Sequence, residues 1–127
     1  MAYIYYNPNP TERRVEDCSV RAVAKALDIT WEEAFALLTK NAFLMSDMPH
    51  ANSVIGSILR QHGYFRKSIP NSCPDCYTVE NFLMDHPVGT FVLMSENHIA
   101  TAQNGTLFDT WDSRGLVPQF YWYKKEE

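Results

Sequence analysis

Asp17-Cys18-Ser19-Val20-Arg21-Ala22-Val23-Ala24-Lys25-Ala26-Leu27 opens the first regular element of the chain and fixes what the rest must supply. Its apolar residues at 20, 23, 24 and 27 fall on one stripe at helical spacing, and strong helix formers surround them. A helix is therefore expected to begin at or just before Cys18, with Asp17 available as its cap. A thiol in the first turn of a helix sits among unpaired backbone N–H groups at the positive end of the dipole. That setting favours the thiolate, the nucleophilic form.

Upstream, Asn7-Pro8-Asn9-Pro10-Thr11 permits no regular helix, and residues 1–16 read as a loop. Downstream, Thr30-Trp31-Glu32-Glu33 has the capping-box form, and Phe35, Leu37, Leu38 and Phe43 extend an amphipathic helix from about 31 to the low forties. Val54, Ile55, Ile58 and Leu59 form a third helical stripe that Gly63 should close. Tyr64 to Ile69 reads as a short strand, Pro70 to Asp75 as turns, and Thr78 to Met84 as a short helix halted by Pro87. The character then changes. Thr90 to Ser95, His98 to Ala102, Thr106 to Trp111 and Val117 to Tyr123 are β-branched or aromatic runs, and Asn104-Gly105 is a strong hairpin signal. Helices followed by an antiparallel sheet give an α+β fold, with residues 1–127 as a single domain lacking repeats or a linker.

Composition narrows the function. The 127 residues are 46% hydrophobic and 20% charged, and 11 Lys and Arg face 15 Asp and Glu, for a net charge of −4. A chain of this balance offers nucleic acid or an anionic membrane no attraction, so neither is expected as a partner. No apolar run approaches the roughly 20 residues that span a bilayer, and the opening residues carry neither a basic nor an apolar leader region. The expected location is the cytoplasm. Three cysteines there argue against a disulfide framework and turn attention to what each thiol does.

A thiolate nucleophile needs a histidine to stabilise it and to protonate the leaving group, and the imidazole needs a third group to fix its tautomer. With Asn104-Gly105 as a two-residue turn, 103 pairs with 106, 100 with 109 and 98 with 111. His98, Asp109 and Trp111 then share one sheet face, while Thr110 and Asp112 take the other. Asp109 lies diagonal to His98 at roughly 7 Å between backbones, a gap two side chains can close. A one-residue bulge would exchange Asp109 for Asp112.

Asp17-Cys18-Ser19 opening a helix, with His98-Ile-Ala-Thr-Ala and Phe108-Asp109-Thr110-Trp111-Asp112 across a hairpin, resembles the papain-like cysteine peptidase superfamily. The similarity is to its small bacterial and phage members, among them cell-wall endopeptidases with an Asp-Cys-Ser-Gly motif and the bacteriocin-processing peptidases of exporters. The resemblance implies N-terminal helices bearing the cysteine, packed on a C-terminal antiparallel sheet bearing the histidine. It implies a thiol hydrolase acting on a peptide or other amide bond through a thioester, with Cys18 as nucleophile, His98 as acid–base and Asp109 as orienting acid. No cofactor is implied, and the expected partner is a protein or peptide substrate. Two positions depart from the pattern. Val20 replaces the glycine of the cell-wall enzymes, so their substrate class does not carry over. The oxyanion glutamine, about six residues before the nucleophile, falls at Glu12, which cannot donate when ionised. Asn7, Asn9, Thr11, Arg13 and Arg14 are the alternatives for that donor, beside the Cys18 backbone N–H.

Other features read more plainly. Cys73-Pro74-Asp75-Cys76 has the spacing of a zinc knuckle or redox pair, with His50, His62 and His86 as nominal further ligands. The second closely spaced pair that zinc sites usually carry is absent, so a turn with two partly exposed thiols is expected and no metal is assigned. Arg13, Arg14, Arg21 and Lys25 read as a solvated basic face, and Trp111 and Trp122 as core or cleft-wall aromatics. Two readings rival the hydrolase: a catalytically inactive papain-like scaffold that binds a partner, and a small zinc-binding interaction protein using Cys73 and Cys76.

Overall fold

The computed structural model describes residues 3–124. Among them are four helices and one six-stranded sheet, an α+β arrangement. The order is β1 (Tyr3–Tyr5), α1 (Cys18–Leu27), α2 (Trp31–Met45), α3 (Asn52–Gln61), β2 (Tyr64–Ser68), α4 (Val79–Asp85), β3 (Thr90–Ser95), β4 (His98–Gln103), β5 (Thr106–Asp109) and β6 (Phe120–Lys124). The strands lie side by side as β1-β5-β4-β3-β6-β2.

Local chemistry sets the helix boundaries. Thr30 Oγ1 accepts from the Glu33 backbone N–H at 3.1 Å while Glu33 accepts from the Thr30 N–H at 2.9 Å, the reciprocal box read from the sequence. Thr78 and Asn81 form a second such box at the head of α4. Gly63 follows the end of α3 at φ +86°, a conformation that costs glycine little. Asp17 precedes α1 but its side chain makes no capping bond, because it is turned toward Arg21 and Trp31 instead.

The central strands β3 and β4 are covered on both faces, which is why they read as nearly continuous apolar runs. Val92, Ile99 and Trp122 face one way and join Val20, Val23, Leu38, Ile55 and Ile58 of α1–α3 in the main core. Leu93, Ala100, Ala102 and Leu107 face the other way and pack beneath Val79, Phe82 and Leu83 of α4. Thr101, fully buried, donates its hydroxyl to the Ala22 carbonyl and ties α1 to β4.

Asn104 and Gly105 have φ values of +50° and +79°, the pair of left-handed conformations a two-residue primed turn requires. The ladder beside them runs Gln103↔Thr106, Ala102↔Leu107 and Thr101↔Phe108, the register expected from the sequence. Four local expectations need correction. The opening segment is not all loop: Tyr3–Tyr5 pairs with β5, and does so in parallel, so the sheet is not wholly antiparallel. Three residues are too few to show a period. The strand after the turn ends at Asp109 rather than Trp111, where Asp109 Oδ1 takes the Thr110 N–H at 2.7 Å. The last strand runs 120–124 rather than 117–123, since Val117 and Pro118 lie in the irregular segment before it. Cys73 and Cys76 are joined as a disulfide instead of standing as two thiols.

Candidate active site

Cys18 opens α1 as expected, and its half-buried thiol is the free one among the three cysteines. His98 is the first residue of β4 and Asp109 the last of β5. His98 Nε2 meets Asp109 Oδ2 at 2.6 Å, which leaves the other ring nitrogen, Nδ1, for the thiol. Cys18 hydrogen-bonds with the His98 side chain and with the Ile99 backbone N–H. The three sequence-predicted site residues are therefore brought together. Asp112, the alternative acid, is exposed and bound to Arg114 at 2.7 Å.

Asp109 is 1% exposed, and both of its oxygens are occupied twice. Oδ2 accepts from His98 and from Ser113 Oγ at 2.6 Å, while Oδ1 accepts from Arg21 Nη2 at 3.0 Å and from the Thr110 N–H. Arg21 is buried and ion-paired to Asp17 as well as Asp109, which corrects the reading of this residue as part of a solvated basic face. Among the described residues no buried side-chain nitrogen or oxygen lacks a partner.

The electrostatics follow from these contacts. Burial pushes the Cys18 thiol up, but the hydrogen bonds from His98 and the Ile99 N–H, with the charges of His98 and Arg21, outweigh it and hold the thiol below its usual value. Burial would lower His98. Its hydrogen bonds to Asp109 and Cys18, and the negative charges of both, lift it to about 9. Burial raises Asp109, and its bonds to His98, Ser113 and the Thr110 N–H more than offset this and keep it low. A thiolate facing an imidazolium backed by a carboxylate is the charge state these shifts favour.

Two hollows meet at the pair. A cavity of about 710 Å³ is bordered by Arg14, Cys18, His50, His98 and Trp111, and one of about 280 Å³ is floored by Ile55, Met94 and Ile99. Asn97 borders both. Trp111 is 42% exposed and tilts against the His98 ring at 5.0 Å, forming a cleft wall, whereas Trp122 is buried in the core. Of the five side chains named as alternatives for the second oxyanion donor, Arg14 borders the larger hollow beside Cys18, with Nη2 bonded to the Thr110 carbonyl at 3.2 Å. Asn7 donates to the backbone carbonyls of Glu12 and Arg13, and Asn9 Oδ1 accepts from the Thr11 N–H and hydroxyl, so both are engaged locally.

Sequence reasoning missed Arg21, Trp31, Ser113, His50 and Asn97 as parts of this region. Only the four-residue spacing of Asp17 and Arg21 signalled a pairing in advance. The nominal zinc set does not assemble. His62 Nδ1 faces the Ile58 carbonyl, His86 stacks on Phe82, and Cys73 and Cys76 are bonded to each other. Among the described residues no group of three or more His, Cys, Asp and Glu side chains is placed to hold a metal. No described helix is long and apolar enough to cross a membrane. Comparison with protein families, with curated proteins and with solved structures finds no match for this chain.

Proposed function

We propose that this chain is a thiol hydrolase of papain-like arrangement, a peptidase acting on a protein or peptide. The observation that carries the reading is the 2.6 Å contact between His98 Nε2 and Asp109 Oδ2, which fixes the ring with its opposite nitrogen toward Cys18. The Cys18 thiolate attacks the amide carbonyl carbon, and the oxyanion that forms is received by the backbone N–H at the head of α1. His98 gives its proton to the leaving amine as the carbon–nitrogen bond breaks. Water, deprotonated by the now neutral His98, then attacks the thioester, releasing the acid and regenerating the thiolate. Asp109 stabilises the imidazolium throughout and keeps Nε2 as the nitrogen it holds.

Alkylation of Cys18 by iodoacetamide at neutral pH tests the charge state, and hydrolysis of a mixed fluorogenic peptide pool tests turnover. The expected result is a thiol alkylated faster than a free model cysteine, and cleavage that disappears in Cys18→Ala. A thiol no faster than the model cysteine would overturn the proposal.

A further inference from the structure

The carboxylate that holds His98 is itself held, and by a side chain from the helix that carries the nucleophile. Arg21 lies one turn along α1 from Cys18 and is 5% exposed. Its Nη2 donates to Asp109 Oδ1 at 3.0 Å and its Nη1 to Asp17 Oδ1. Asp17 is fixed in turn by Trp31 Nε1, which donates to Oδ2 at 2.8 Å. A continuous chain of hydrogen bonds thus runs from Trp31 at the head of α2 through Asp17, Arg21 and Asp109 to His98.

Two features of that chain favour a role in aiming the triad. A buried ion network is a poor source of stability, because apolar side chains of similar volume fill such space at equal or lower free energy. The arrangement also needs the guanidinium fork in particular, since one planar group reaches two carboxylates at once and a point-charge ammonium does not. With Oδ1 engaged by Arg21, the Asp109 carboxylate cannot rotate to exchange its oxygens without breaking a charge-assisted bond. Building on the hydrolase reading above, we propose that Arg21 is a positioning residue: its fork, anchored by Asp17 and Trp31, keeps Asp109 Oδ2 aimed at His98 Nε2 and so keeps the ring's other nitrogen toward Cys18. Other ionisable groups facing this region are Arg14, Glu16 and His50 along the cleft, Tyr3, whose hydroxyl donates to the Asp109 carbonyl at 3.3 Å, and Tyr6, which feels the charge of Arg21.

The test compares the full chain with Arg21→Lys, Arg21→Met and Trp31→Phe. Near-ultraviolet circular dichroism reports folding, and the deshielded proton resonance of His98 Nε2–H reports the His98–Asp109 bond. Iodoacetamide alkylation across pH reports the Cys18 thiolate, the reagent meeting one free thiol because Cys73 and Cys76 are disulfide-bonded. In folded Arg21→Lys the imidazole resonance should broaden or vanish, and alkylation below the wild-type midpoint should slow about tenfold, the equivalent of one pKa unit. Trp31→Phe should move both readouts the same way by a smaller factor. Should Arg21→Met not fold, the other two variants decide the matter, since each keeps either the charge or the bulk. Folded variants that retain the wild-type resonance and pH profile and lose only melting temperature would make Arg21 purely structural and overturn the inference. A wild-type protein with an ordinary thiol profile and no deshielded resonance would instead overturn the hydrolase reading itself.

Discussion

Thr101 donates its hydroxyl to the backbone carbonyl of Ala22 at 2.7 Å, with Thr101 wholly buried and Ala22 nearly so. The bond spans the interface between α1 and β4, three residues past His98 on one side and four past Cys18 on the other. It ties together the two elements that carry the thiol and the imidazole. Thr101→Val keeps the shape and removes the bond. We expect a loss of about 1 kcal/mol in stability, read from urea unfolding, and a fall in turnover of about tenfold, since sub-ångström misplacement of reacting groups is costly. Unchanged turnover would mean that packing alone holds the two elements in register.

Asp109→Asn should slow hydrolysis by at least about a hundredfold, because an amide can hold the ring but cannot stabilise the imidazolium. Asp112→Asn, which touches only the exposed Arg114 pairing, should leave the rate within about twofold. Steady-state kinetics on one fluorogenic peptide rank the two, and the reverse order would assign the orienting role to Asp112.

The dependence on pH follows from opposite shifts. His98 is lifted from 6.5 to about 9, while the Cys18 thiol is held below its usual value. Hydrolysis should trace a bell whose alkaline limb lies near pH 9, where His98 loses the proton destined for the leaving amine. For stability, a base whose pKa is raised on folding contributes fully below its unfolded value near 6.5, and that contribution is lost as pH rises to about 9. The Cys18 thiolate, an acid with a lowered pKa, works in the opposite direction over this window. Cys18→Ala removes that opposition, so this variant should lose stability on going from pH 6.5 into the alkaline part of the window. Denaturant midpoints that do not move would show that folding does not favour protonated His98.

Gly56→Ala should destabilise the protein by about 1–3 kcal/mol, although glycine to alanine inside a helix usually helps. An added Cβ would lie 2.8 Å from Trp122 Cη2, and that indole is 2% exposed, packed within the core. Thermal unfolding measures the loss, and a higher melting temperature would show that the ring can shift.

What the sequence disclosed was local in origin. The helix at Cys18 follows from a stripe of apolar residues, the start of α2 from a hydroxyl and a glutamate three apart, and the hairpin register from two adjacent residues that tolerate left-handed backbone. That register alone put His98 and Asp109 on one side of the ladder. What stayed hidden depends on partners distant along the chain. Arg21 looks like any solvated helix cation until Asp109, 88 residues later, is brought against it. β1 has three residues and acquires strand character only by lying beside β5. The Cys73–Cys76 spacing is common to turns, metal knuckles and disulfides, and only the folded loop distinguishes them.

The order of strands leaves β1 and β2 on the two borders of the sheet. One border offers three residues of ladder, and the other displays Arg66 and Lys67 on a strand that is exposed after Tyr64. A second molecule laying its own β2 alongside would set these cations against their copies. That margin thus discourages fibre-like stacking through β2.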